Sequence, residues 1–313
     1  MATLSTVELP SKYVKIKDTM MSYYDSSMHK PVTNRNAPVV VFLHGNPTSN
    51  YLWRNIIPHV SDIARCLAPD LVGMGKSHRI PGDNHMYSYD QHYEYLNEWF
   101  NTMGLGKIGS PKVILVIHDW GSGLGFHWAN NHRDSIAGIA YMEAIVTMLP
   151  SWDDFSEGGR KLFQSMRTDA GETIILEKNV FVERILPGSV MRKMLPEELA
   201  VYQRPYLQKG ETRRPTLTWP REIPVAGEPA NVCNYAKNYC DWLTTTDNIP
   251  KVFFNATPGS ILTGPQREAC RKWPNQKEIQ IKGIHFVQED APHEIGAGVK
   301  ELLLKVLSGN SKM

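Results

Sequence analysis

The chain has 313 residues, 34 Lys+Arg against 32 Asp+Glu for a formal net charge of +2, with 21% charged and 42% hydrophobic residues. That balance is too apolar and too even for a disordered chain, and it lacks the Lys/Arg excess of a nucleic-acid binder. At roughly 100–200 residues per domain, the length permits one large domain or two.

The N-terminal stretch, Met1 to Asp18, mixes Glu8, Lys12, Lys15 and Lys17 into its apolar residues. It lacks the roughly 7–15-residue apolar core of a secretory signal, and no run of about 18 apolar residues follows to span a membrane. A cytoplasmic protein without a membrane partner is therefore expected. The final Ser311-Lys312-Met313 is one residue from the Ser-Lys-Leu peroxisomal address, although a frayed polar tail is the simpler reading.

Strand candidates begin at Val39. Val39–Leu43 is a β-branched run that ends in His44-Gly45-Asn46-Pro47, as expected of a strand buried on both faces. Leu67-Ala68, running into Asp70-Leu71-Val72-Gly73, is a second candidate. Val113–Ile117, Ile136–Met142, Val252–Phe254 and Ile279–Ile281 complete the set. Helical spacing is found over Tyr89–Met103, Gly121–Asn131 and Glu294–Leu307. Strands alternating with helices predict a mostly parallel, doubly wound α/β sheet.

The alternation stops between Leu149 and Pro224. Glu157–Met166, Glu172–Leu186 and Glu197–Gln208 read as helices there, and Pro215, Pro220 and Pro224 close the stretch. This predicts a helical cap over residues 149–224, inserted into a core made of 1–148 and 225–313. Ligands of such sheets bind beyond the carboxyl ends of the strands, where the cap would sit. Cys66, Cys233, Cys240 and Cys270 form no CxxC pair, so they read as core thiols and no metal is expected.

The chemistry concentrates in Val113 to Gly123. A strand runs into His118-Asp119-Trp120-Gly121 and a helix starts at once, the form of a nucleophile elbow. Asp119 stands where Ser is familiar, and Ile117 occupies a position usually held by a small residue. Taken alone, Asp119 reads as a helix N-cap. In the company of a base and an acid it reads as a nucleophile. A carboxylate is ionised without help, with a reference pKa near ~3.9, and suits attack on a saturated carbon bearing a leaving group. The product is an ester of Asp119, which needs a base to activate water and an acid to orient that base.

His285, just past the last strand candidate, fits the base, since the chain order in α/β-hydrolases is nucleophile, acid, histidine. The acid could follow the Val252 strand or the Ile136 strand. The first loop, Asn255 to Leu262, has no Asp or Glu, so the acid is assigned to Glu143. Asn46 and Trp120 are neutral N–H donors that could hold a departing halide between them.

His44-Gly45-Asn46-Pro47, Asp70-Leu71-Val72-Gly73-Met74-Gly75-Lys76-Ser77, His118-Asp119-Trp120-Gly121 and His285-Phe286 with Gln288-Glu289-Asp290 together resemble the haloalkane dehalogenases, within the α/β-hydrolase fold. Arg213 to Pro224, Leu186-Pro187 and Met191-Arg192-Lys193 are most similar to the Renilla-type luciferase branch. The resemblance implies the same roles for Asp119, His285, Glu143, Asn46 and Trp120. It also implies a pocket with Trp152, Val180, Phe181, Pro220, Ile261 and Phe286, and a small apolar organic substrate with halide as product. For the luciferase branch it implies oxidation of coelenterazine by O2, without metal or organic cofactor, to coelenteramide, CO2 and light. That branch usually reads Pro-Gly-Phe-Phe where this chain has Pro258-Gly259-Ser260-Ile261. A monomer is expected. The alternatives are an epoxide hydrolase, with Tyr202, Tyr206, Tyr235 and Tyr239 available as proton donors, and a non-catalytic scaffold.

Overall fold

The structure, a computed structural model, describes residues 4–28, 37–82, 86–155 and 157–310; Ser311, Lys312 and Met313, the candidate address, lie outside the described residues. Among the described residues, eight strands form one sheet: β1 (Lys12–Ile16), β2 (Thr19–Asp25), β3 (Val39–Leu43), β4 (Cys66–Pro69), β5 (Val113–Asp119), β6 (Ile136–Ala144), β7 (Lys251–Pro258) and β8 (Gln276–Gly283). Their order is β1-β2-β4-β3-β5-β6-β7-β8. β2 runs antiparallel to β1 and β4, and every other pairing is parallel.

β3 and β5 explain the continuous apolar runs. Val39, Val41 and Leu43 with Val113, Leu115 and Ile117 face one layer of the core, and Val40, Phe42, Ile114 and Val116 face the other. Successive side chains point to opposite faces, so a strand with helices on both sides must be apolar at every position. On the first face lie α1 (Tyr89–Thr102) and α2 (Trp120–Asn131), with a helix at Ala230–Thr245. On the second lies the long helix Pro292–Asn310, through Ile295, Val299, Leu302 and Leu303. Cys66, Cys233 and Cys270 are free and buried, and Cys240 is free and half-buried. Among the described residues no helix is long and apolar enough to cross a membrane.

Between β6 and β7 the described residues form helices and turns only, apart from isolated bridges. Leu149 pairs with Val225 in one such bridge, which brings the two ends of this excursion together. α3 spans Glu157–Met166. Glu172–Leu186, expected as one helix, is instead two wide helical turns of the π type, Glu172–Glu177 and Phe181–Ile185. Asn179, at φ 53°, breaks it, since a left-handed residue cannot continue a right-handed helix. The helix expected over Glu197–Gln208 covers Pro196–Gln203 and tightens to a 3-10 turn at Arg204–Tyr206, where Pro205 cannot donate.

Two further differences are additions. The β1–β2 hairpin precedes the first expected strand. Arg214–Arg221 is a helix where the prolines suggest only punctuation. Pro215 lies in its first turn, where the missing N–H is not needed, and Pro220 comes one residue before its end.

Candidate active site

β5 ends at Asp119 and α2 begins at Trp120 with no residue between them. Asp119 has φ 50°, and its side chain makes no capping hydrogen bond to α2. The carboxylate turns instead toward the β3 end of the sheet. Its Oδ1 accepts the backbone N–H of Asn46 at 2.7 Å. A Cβ on Gly45 would overlap Asp119 Oδ1, so only glycine lets the two loops approach this closely. Ile117, the large residue in the elbow, is accommodated by Gly125 across from it, where a Cβ would sit 2.9 Å from Ile117 Cγ2.

Glu143 reaches the site through a break in register. His118 is opposite Met142 but Asp119 is opposite Ala144, which leaves Glu143 as the extra residue of a bulge, at φ 40°. Bulges re-aim side chains. This one puts Glu143 Oε2 3.3 Å from His285 Nδ1, while His285 Nε2 lies 3.4 Å from Asp119 Oδ2. The loop after β7, which offers no acid, supplies donors instead. Ser260 and Ile261 N–H donate to Glu143 Oε2 at 2.9 and 2.7 Å, and Leu262 N–H donates to Oε1 at 3.4 Å. Ser122 ties the two carboxylate-bearing strands: its Oγ donates to Asp119 O at 2.5 Å and accepts Ile145 N–H at 2.8 Å.

Burial alone would lower the His285 pKa. Hydrogen bonding and charge from Asp119 and Glu143 outweigh it and push it up to about 9. Burial likewise tends to raise the Asp119 pKa, yet the contacts with His285 hold it below the usual value. The two carboxylates thus favour the protonated imidazole held between them.

Asn46 Nδ2 donates to Thr216 O at 3.2 Å, which fixes the plane of the amide and leaves its second N–H unused. Trp120 stacks on Trp219 with centroids 4.6 Å apart, and Trp219 stacks on His92 at 4.2 Å. Thr216 and Trp219 both come from the unexpected helix Arg214–Arg221, so this segment orients both candidate halide donors.

These groups open onto a cavity of about 440 Å³. Asn46, Asp119, Trp120, Phe181, Pro220, Ile261 and His285 line it, together with Phe155, Phe163, Ile185, Leu149 and Ile223. Trp152, Val180 and Phe286 do not. Trp152 turns away to pack on Phe155, 5.2 Å between centroids, with the Arg167 guanidinium 5.2 Å from its ring. Val180 and Phe181 are adjacent on a helical turn and point in different directions, and Phe181 takes the inward one. Phe286 is 1% exposed and packs behind the base, against His118 and the core of the second face. The wall residues Phe155 and Phe163 carry no motif, and α3's apolar spacing was the one signal for Phe163. None of the four candidate tyrosines lines the cavity. The Tyr202 hydroxyl donates to Glu289, that of Tyr239 donates to Ile145 O, Tyr206 is fully buried, and Tyr235 stacks on Tyr89 and His127.

Three buried histidines surround the site in neutral form. Burial pushes His44 down to about 4, and His92 and His118 to about 3. In the unfolded chain each would titrate near ~6.5. Between these limits the unfolded state binds more protons, so stability rises with pH there and falls on acidification. Near pH 5 three such groups give a slope of up to about 4 kcal/mol per pH unit. Urea unfolding between pH 6.5 and 4.5 is expected to show this steep loss, and a flat profile would contradict the neutral assignment.

A family model described as the alpha/beta hydrolase fold matches residues 38–292. A haloalkane dehalogenase of Sphingobium indicum is 48% identical over 289 residues, 92% of this chain and 93% of that protein. A coelenterazine h 2-monooxygenase of Renilla reniformis is 42% identical over 297 residues, 95% of this chain and 91% of that one. The crystal structure of an ancestral haloalkane dehalogenase matches with a TM-score of 0.85 at 40% identity, covering 95% of this chain and 99% of that chain.

Proposed function

The chain belongs to the haloalkane dehalogenase family of α/β-hydrolases, and on that premise we propose that it hydrolyses carbon–halogen bonds through an ester formed on Asp119. The observation that carries this reading is the His285 imidazole between two carboxylates at the base of a mainly apolar cavity.

In the first step Asp119 Oδ2 attacks the halogenated carbon, and the halide leaves with the bonding pair of the broken bond. The free N–H of Asn46 and the indole N–H of Trp120 stabilise it as its charge develops. Asp119 Oδ1 stays on the Asn46 N–H and becomes the ester carbonyl. Loss of the Asp119 charge on alkylation lets His285 release its proton to solvent, and in the second step the neutral imidazole takes a proton from water, whose oxygen attacks the ester carbon. The charge of the tetrahedral intermediate falls on Oδ1, where the Asn46 N–H already points. Collapse releases the alcohol, protonated by His285, and restores the carboxylate. The balance is R–X plus water giving R–OH, a proton and halide.

The same cavity is proposed to accept coelenterazine and O2, with no other cofactor, giving coelenteramide, CO2 and light. Its volume of about 440 Å³ and the 42% identity to a coelenterazine monooxygenase support this second activity. An epoxide hydrolase lacks such support, because none of the four tyrosines it would use lines the cavity.

Halide release from 1-bromohexane, measured beside luminescence on adding coelenterazine, tests both readings. Halide together with light is expected. Halide without light removes the second activity alone, and absence of halide release by folded protein overturns the first.

A further inference from the structure

The backbone of His285 is held from the cap. Its N–H and that of Phe286 donate to the carbonyl of Ser189, at 3.1 and 3.2 Å. From the sheet side, His118 Nε2 donates to the His285 carbonyl at 2.9 Å. The base is therefore fixed at both ends of its own residue, and one of the two partners belongs to the helical excursion.

The segment that carries Ser189 is tied to the turn after His285 by buried charge. Asp290 accepts the N–H groups of Met191 and Arg192 at 3.0 Å. Arg192 forks onto Glu198 with both terminal nitrogens at 2.7 Å and reaches Glu289 Oε2 at 2.6 Å. Arg54 forks onto Glu289 at 2.7 and 2.8 Å and reaches Glu198 at 2.8 Å. Arg54, Glu198 and Glu289 are each 1% exposed at the side chain. Burying paired charges gives little net stability over a packed apolar cluster of the same volume. Forked guanidinium–carboxylate pairs do fix orientation as well as distance. Here the relation they fix is that of the Ser189 carbonyl to the His285 turn.

We propose that the quartet Arg54, Glu289, Arg192 and Glu198, acting through the Ser189 carbonyl, is a positioning device for His285 that governs hydrolysis of the Asp119 ester and leaves halide displacement untouched. The proposal rests on the assignment of Asp119 as nucleophile and His285 as base. Its logic is that displacement needs only Asp119 and the halide donors, whereas hydrolysis needs an imidazole placed to within a fraction of an ångström.

The test follows the two half-reactions separately with 1-bromohexane. The first equivalent of halide reports displacement, and intact mass reports the ester. Glu198→Gln is expected to release that first equivalent at the wild-type rate. It then turns over about tenfold or more slowly, with kcat and KM falling together and ester-bearing protein dominating the steady state. A purely structural role lowers both steps together through the folded fraction and accumulates no ester, and that outcome overturns the proposal. Arg192→Lys keeps the charge and loses the fork at a side chain 24% exposed. It is expected to shift the same readouts less far, and it decides the matter if Glu198→Gln does not fold. His285→Phe separates the two levels of inference. Ester in His285→Phe but none in the quartet variants removes the positioning device alone, whereas no ester in any variant removes the assignment of nucleophile and base.

Discussion

Asp119→Ala is expected to abolish halide release from a bromoalkane, a loss of about 10⁴-fold or more, because the proposed reaction has no other attacking atom. The loss should come with little unfolding. Asp119 sits at the junction of β5 and α2, and its side chain caps neither element. The substitution leaves the Asn46 N–H without its partner, at a cost of about 1–3 kcal/mol if water does not replace it. Asp119→Asn keeps the shape and hydrogen-bond acceptor and loses only the charge, so it separates the two effects. Both variants remove one of the groups that hold the His285 proton, so the imidazole pKa should fall well below its wild-type value of about 9. Halide release by ion chromatography, with thermal unfolding in parallel, checks the result. A folded Asp119→Ala enzyme working at the wild-type rate would mean that the ester mechanism is wrong.

The site was legible where chemistry leaves a mark on residue type. Asp119 stands out in the sequence because a carboxylate in place of a hydroxyl at a strand-to-helix turn would change the reaction, and Glu143 because the alternative loop has no acid. What brings Glu143 to His285 is a bulge, and no residue type announces it. β3 and β5 were visible as continuous apolar runs since both of their faces are covered. β1 alternates exposed and half-buried positions at the edge of the sheet, and its charged Lys12 and Lys15 obscured it. Arg214–Arg221 was hidden by prolines tolerated at its ends, yet it carries the groups that orient Asn46 and Trp120. The anchoring of His285 by Ser189 was beyond reach because a main-chain carbonyl does that work, and every residue has one. The pocket positions Trp152, Val180 and Phe286 came from resemblance alone, and none faces the cavity in this chain.

His285→Phe is expected to convert the enzyme from a catalyst into a reagent that fires once. The reason lies in the charge of the site before and after the first step. In the free enzyme the imidazole lies between Asp119 and Glu143, and the two carboxylates hold its pKa up at about 9 against burial. At neutral pH it is therefore protonated, and a protonated imidazole is no base. Alkylation changes this. Once Asp119 is an ester its negative charge is gone, and one of the two carboxylates that held the proton no longer does so. Burial, which favours the neutral ring, then faces Glu143 alone, so the pKa falls and the imidazole becomes a base when a base is needed. The Nδ1–H stays on Glu143, at 3.3 Å in the free enzyme, and Nε2 is left to receive a proton from water. Phe at this position fills the same space against His118 and Phe286 but offers no nitrogen. Displacement should proceed, because Asp119 keeps its carboxylate and Asn46 and Trp120 keep their donors. Hydrolysis should slow by about 10²–10⁴-fold, the usual worth of a general base. One equivalent of halide per active site should therefore appear and then nearly stop, and intact mass should rise by the alkyl group of the substrate. Continued turnover at the wild-type rate, or a burst without a mass increase, would assign the base or the intermediate elsewhere.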